Sequence, residues 1–363
     1  MPKMLMTLVL GLALATMASA QYRFTDEINI AATEIKNQQR TGTCWSFATT
    51  SFLESEIIRM GHEAVDLAEM YNVRMTYEDK AHNYVLRQGK AQFSQGGLAH
   101  DVLRTVNDFG VVPQTAYPGL LPGDRIFDHT ELESSLKGYL DAVIATGRPG
   151  PHWMDAVDGV LDAYLGDEPA TFNYGGRSYT PQSFAESLGI DGDNYVSITS
   201  FSHHPFYESF VLEIPDNYAN GSFFNVPIDE LQAVVDYALE HGYSVDWDGD
   251  VSERTFSQSE GLAVWPADSD SDAMTQPVAE LVVDQANRQA AFENYQTTDD
   301  HLMHLVGRAK DQAGNTYYII KNSWGEVGPY DGLLYMSEAF FRMKTVFVTV
   351  HKEAVPKATM DRM

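Results

Sequence analysis

One cysteine in 363 residues, eleven histidines and a few well-spaced amides are the side chains of this chain that could do covalent chemistry. Cys44 lies in NQQRTGTCWSFATTSFLESEIIRMG (37–61), after a Thr-Gly-Thr turn. Behind it, Ala48, Phe52, Leu53, Ile57 and Ile58 have helical spacing, with Arg59 in the last turn and Gly61 where a C-terminal cap belongs. A thiol that opens a helix lies in the field of the first N–H groups, which favours its thiolate. A lone cysteine cannot close an internal disulfide, and from composition alone it reads as a small buried hydrophobe. Its place at a helix start points instead to a nucleophile.

A thiolate nucleophile needs an imidazole, and the imidazole needs a group to orient it. In DDHLMHLVGRAKDQAGNTYYIIKNSWGEVGPYDGLLYMS the apolar runs Leu302–Val306 and Tyr317–Ile320 flank the polar segment Asp311–Asn315, a hairpin signal. Mirroring positions about a turn near Gln312 or Ala313 brings His301 within two residues of the position facing Asn322, so the two are expected side by side. The same register puts His304 opposite Ile320 or Lys321, away from a polar orienter. Acyl chemistry at Cys44 also needs oxyanion donors. Its own backbone N–H and the side-chain amide of Gln38, six residues upstream, are the candidates.

The elements that must position these groups belong to a chain with ample apolar residues for a core. The first twenty residues have a basic start, an apolar run and Ala18-Ser19-Ala20, which read as a signal peptide (1–20) cleaved to leave Gln21 first. No later run is long enough to span a membrane. Export sets the lone thiol in an oxidising compartment. Lys and Arg total 24 against 51 Asp and Glu, a net charge of −27. That balance excludes nucleic acid and anionic membranes as partners and favours a self-repelling, soluble particle. Asp246/Asp248/Asp250 and Asp268/Asp270/Asp272 lack the glycine and glutamate of a calcium loop and read as solvated acidic turns. His203-His204 has no cysteine or clear carboxylate at zinc spacing, so no metal is expected.

Taken together, KNQQRTGTCWSF (36–47), DHLMHLVG (300–307) and KNSWG (321–325) resemble the papain-like cysteine peptidases, in the same chain order. FSQGGLAHDVLRTVNDFGVVPQTAYPG (93–119) is similar to that family's cleft-lining segment, and 195–266 is similar to its bleomycin hydrolase and aminopeptidase C branch. The resemblance implies an α+β fold of two lobes. Residues 21–123 would form a helical lobe carrying Cys44, and 193–351 a β-rich lobe, an antiparallel sheet or barrel, carrying His301 and Asn322. A helical insertion would occupy 124–192 and a short tail 352–363. It implies peptide hydrolysis through an acyl-enzyme, as an aminopeptidase or an endopeptidase, on a peptide or protein substrate and without a cofactor. Catalytically silent binding on the same scaffold, and acyl transfer or peptide ligation, are the alternatives. It further implies that Gly96 and Gly97 pair with substrate backbone and that Trp45 and Trp324 flank the cleft. Trp324 is equally explained as a buried aromatic in a turn. Thr41 replaces the family's disulfide cysteine, as the cysteine count requires. The tail looks too short to reach back into the cleft, so neither restriction to chain ends nor oligomeric assembly is implied.

Overall fold

The computed structural model describes residues 21–363, so the signal-peptide reading of 1–20 lies outside the described residues. The chain opens with β1 (Thr25–Asn29), then α1 (Cys44–Arg59), α2 (Glu69–Leu86) and α3 (Ala99–Asp108). The next stretch forms α4 (Thr130–Ala145), α5 (Trp153–Leu165), the hairpin β2 (Phe172–Tyr174) and β3 (Arg177–Tyr179), and α6 (Pro181–Leu188). There follow β4 (Tyr195–Thr199), β5 (Ser209–Val211), β6 (Ser222–Asn225), α7 (Ile228–Glu240) and β7 (Val245–Gly249). Then come β8 (Phe256–Ser257), β9 (Leu262–Ala263), α8 (Gln285–Glu293), β10 (His301–Lys310) and β11 (Thr316–Lys321). The chain closes with β12 (Leu333–Ser337), α9 (Glu338–Lys344), β13 (Thr345–His351) and α10 (Lys357–Met360).

The large sheet runs β5-β6-β4-β13-β7-β10-β11-β12-β9-β8, with β1 added along β10. Its two ends do not meet, so the barrel alternative is corrected to an open sheet. Most pairs are antiparallel, but β4–β6 and β9–β12 are parallel. The β10–β11 hairpin pairs His304 with Lys321 and Leu305 with Ile320, then slips by one residue at a bulge before Gly307.

Helix α1 packs between the sheet and the other helices, and almost every residue from Cys44 to Ile57 is buried. Such a helix needs a partner for each polar side chain. Ser46 Oγ donates to the Glu69 carbonyl, Asn72 donates to Thr50 Oγ1, and Thr49 Oγ1 donates to Asp246 Oδ2 at 2.6 Å. The helix ends as expected, with Gly61 at φ +89. Apolar residues of α1, among them Phe47 and Phe52, join the core of the helical lobe, while Trp247, Met303 and Leu305 pack on the other side of the sheet with α7.

The first acidic run is not a solvated turn. Asp246 and Asp248 belong to the central strand β7, Asp250 follows it, and all three are buried. Their alternation is the strand's own period, which turns Asp246 and Asp248 toward α1 and sends Trp247 into the opposite core. The second run, Asp268 to Asp272, is an exposed turn as expected.

Candidate active site

Cys44, Gln38, His301 and Asn322, drawn from three separate stretches, converge and are all buried. Cys44 starts α1, and the backbone N–H of Leu302 faces its sulfur, which brings the thiol to the first residues of β10. His301 is the first residue of that strand, and its Nε2 lies 2.8 Å from Asn322 Oδ1. Asn322 Oδ1 also accepts from the Ser323 N–H at 2.7 Å, and its Nδ2 donates to Gln258 Oε1 at 2.8 Å. With both ends of the amide fixed, Oδ1 can only accept. His301 therefore carries its proton on Nε2 when neutral, leaving Nδ1 as the basic nitrogen.

The start of α1 is held without a side-chain cap. Thr43 does not cap the helix with its hydroxyl, which pairs with Thr41 Oγ1 at 2.6 Å. The Ser46 and Phe47 N–H groups close onto the Thr43 carbonyl, and the Cys44 N–H takes no part in that turn. Gln38 Nε2 donates to the Thr41 carbonyl at 2.7 Å, and its Oε1 accepts from Ser323 Oγ at 2.6 Å. The amide is thereby locked, with one N–H still uncommitted beside the helix start.

Electrostatics also depart from the simple helix-field argument. Burial pushes the Cys44 thiol up to about 12, with further upward pressure from Asp248, Asp299 and Asp216 against the favourable Leu302 N–H. Burial pushes His301 down to about 4, despite the bond to Asn322. Each group alone is driven neutral, so a thiolate here requires the imidazolium beside it, and the two ionise as one unit.

The flanking residues divide. Trp324 lies over His301, ring centroids 4.8 Å apart, and covers the His–Asn pair from solvent. Trp45 does not line an open surface. It is 1% exposed, donates from Nε1 to the Gln95 carbonyl at 2.9 Å, and lies against Gly97, so it supports the glycine pair from beneath. A Cβ on Gly96 would overlap the Asp216 carboxylate. His304 lies away from the thiol, fully buried, with Nδ1 2.9 Å from Ser51 Oγ.

Two residues escaped the sequence reading. Gln258, which orients Asn322, comes from the turn between β8 and β9, and nothing in its local sequence marks it. Glu213 is the carboxylate that the His203-His204 pair lacked, with His204 Nε2 at 2.8 Å and His203 Nε2 at 3.2 Å. Gln289 Oε1 accepts from the Ser202 N–H, so its Nε2 is the group that donates to His203 Nδ1. That bond puts the His203 proton on Nε2, facing Glu213, where a metal would need a lone pair. The trio is a hydrogen-bonded cluster rather than a ligand set.

A two-lobed α+β fold with a thiol on the central helix of one lobe, and an amide-held imidazole on a strand of the other, defines the papain-like cysteine peptidases. Comparison with known proteins agrees. Residues 167–363 match the Peptidase C1-like family, and residues 21–123 match the papain family of cysteine proteases. The first match alone spans more than half of the chain, which therefore belongs to the Peptidase C1-like family. Aminopeptidase W of Lactobacillus delbrueckii subsp. lactis is 23% identical, over 93% of this chain and 85% of its own. Aminopeptidase C of Listeria monocytogenes is 22% identical, over 94% and 85%. The crystal structure of PepW from Lactobacillus rhamnosis has the same fold, with a TM-score of 0.74 and 18% identity over 93% of this chain and 84% of that one.

Proposed function

We propose that the protein is an exported aminopeptidase that cleaves peptide bonds with Cys44, His301 and Asn322. The observation that carries this reading is the fixed chain from Gln258 through Asn322 to His301 Nε2, which leaves Nδ1 as the base for the thiol. His301 takes the thiol proton as Cys44 sulfur bonds to the substrate carbonyl carbon. The Cys44 N–H and the Gln38 amide stabilise the oxyanion that forms. The C–N bond then breaks, and His301 returns the proton to the leaving amine, giving a thioester. Water, deprotonated by His301, attacks the thioester and releases the acid and the thiol. Trimming from the N-terminus is supported by the names of the relatives, two of them aminopeptidases over most of their length. Export rests on the sequence of residues 1–20, and N-terminal sequencing of the mature protein should begin at Gln21.

The test is alkylation with iodoacetamide during turnover of a mixed peptide pool. One equivalent on Cys44 should abolish cleavage, and mass spectra of the products should show one-residue ladders. Undiminished turnover by Cys44→Ala would sink the mechanism, and internal cuts would replace the aminopeptidase by an endopeptidase.

A further inference from the structure

Three carboxylates gather beside the thiol, more acids than the one cation, Lys80, whose charge acts on Asp216 and Asp299. Asp299 stands two residues before His301, and Asp248 on β7 pairs across the sheet with Leu302, the residue whose N–H faces the Cys44 sulfur. Directly paired residues of an antiparallel ladder point to the same face, so the Asp248 carboxyl and the Leu302 side chain lie together. The Asp248 and Asp299 carboxyls are within hydrogen-bonding reach of each other. From the opposite wall, Asp216 lies on Gly96 and accepts from Gln92 Nε2 at 3.0 Å. One acid thus stands at the glycine pair and the other two beside the first residues of β10, and the charge of Asp216 acts on both of those.

Their environment is incomplete. Asp248 is 0% exposed, yet apart from a proton shared between the two carboxyls neither of its oxygens nor Asp299 Oδ2 meets a hydrogen-bond donor among the described residues. Lys80 lends its charge to Asp216 and Asp299, but its hydrogen bonds go to the carbonyls of Ser94 and Gly96. Buried carboxylates without donors are costly, and a charged donor brought to them would be bound strongly. A pocket of about 370 Å³ opens onto Asp299, bordered by Ile214, Pro215 and Phe292. The field of the same acids reaches the thiol.

We propose that Asp216, Asp248 and Asp299 form the receptor for an ammonium group of the substrate, the α-ammonium of its N-terminal residue. This rests on the aminopeptidase reading and deepens it. A compact ammonium presents three N–H donors, one for each carboxylate, and held by acids whose field reaches the thiol it would be separated from the bond attacked by a single residue. The carboxylates would thus count residues from the N-terminus. The other source of the same chemistry is a lysine side chain farther along a blocked peptide.

The experiment uses the full mature chain and three peptides of otherwise equal neutral sequence: a free N-terminus, an N-acetyl group, and an N-acetyl group with one lysine before the cleavable bond. Binding is measured by calorimetry on Cys44→Ala, which needs no turnover and so separates this proposal from the peptidase mechanism. The free-amine peptide should bind about 30-fold or more tightly than the N-acetyl peptide, the scale of a desolvated charge pair. Asp299→Asn and Asp216→Asn, each in Cys44→Ala and each checked for an unchanged unfolding midpoint, should shrink that ratio about tenfold. Equal binding of the free and acetylated peptides overturns the proposal. So does preference for the lysine peptide over the free-amine peptide, which would assign the acids to a side chain. A ratio unmoved by either Asp→Asn substitution also overturns it.

Discussion

At the scale of residues, the site depends on amides more than on charges. His301 is oriented by Asn322, Asn322 by Gln258, and Gln258 donates onward to the Val327 and Leu333 carbonyls. Gln258 touches none of the reacting atoms, so it is a positioning residue acting through Asn322. Gln258→Ala removes one neutral hydrogen bond, about 1 kcal/mol, and should lower kcat about fivefold while leaving KM nearly unchanged. Gln258→Glu keeps the acceptor that Asn322 needs but turns its other oxygen against the Val327 and Leu333 carbonyls, so it should recover that loss only at low pH, where the protonated carboxyl can donate to them. A role limited to packing would instead lower the unfolding midpoint of the Ala variant without splitting kcat from KM. The pH profile supplies a second readout. The thiol and imidazole ionise jointly, so an imidazole freed to rotate should shift both limbs of the profile. Profiles that superimpose for the wild type and Gln258→Ala would remove Gln258 from the orienting chain.

At the scale of elements, α1 shows how local sequence sets a site. Its start delivers Cys44 and its end is closed by Gly61, whose φ of +89 disfavours any side chain although no atom lies within 4 Å of the place a Cβ would take. Gly61→Ala should therefore cost about 1 kcal/mol of stability through the backbone alone and leave kcat unchanged. Chemical denaturation and a rate assay check both halves, and a fall in kcat would mean that the helix end is coupled to Cys44. The helix was legible because its apolar spacing and its terminator are local. So was the β10–β11 hairpin, because mirror pairing about a short turn is arithmetic. The one-residue bulge before Gly307 was not legible; lying between the turn and His304, it shifts every pairing beyond it by one residue and so sets His304 opposite Lys321. The acidic strand was misread for a physical reason: alternating aspartates resemble a solvated turn unless the surrounding sheet and α1 are known to cover them. Gln258 and Glu213 were invisible because each meets its partner only through tertiary folding.

At the scale of the whole molecule, the recurrent theme is acid kept from water. Burial raises Asp246 to about 7 against the partial relief of Thr49, and raises Glu69 to about 7 against Lys36. Burial, with Asp216 next, raises Asp299 to about 8. In the unfolded chain such groups titrate near 4. Between those values the native state holds more protons than the unfolded state, so these acids contribute most stability below the unfolded value near 4 and lose it as pH rises to the folded values. Histidines act in the opposite sense at lower pH. His129 and His301 are each lowered to about 4 by burial, so native stability is lost as pH falls from the unfolded value near 6.5 toward 4. Above 6.5 the histidines are neutral in both states and the acids act alone. The net charge of −27 adds self-repulsion in the same direction, because each ionised acid increases it. The unfolding midpoint should therefore decline from pH 6.5 to about 8, where Asp299 is the last of these acids to ionise in the folded state. Asp246→Asn keeps the acceptor for Thr49 and removes one of the titrating groups, so stability should fall less with rising pH between about 4 and 7, the span between its unfolded and folded values, and change little above pH 8. Added salt separates the two causes, since screening weakens repulsion between surface charges much more than it relieves a buried carboxylate. A decline that vanishes at high salt would assign it to net charge, whereas one that persists and is reduced by Asp246→Asn belongs to the buried strand.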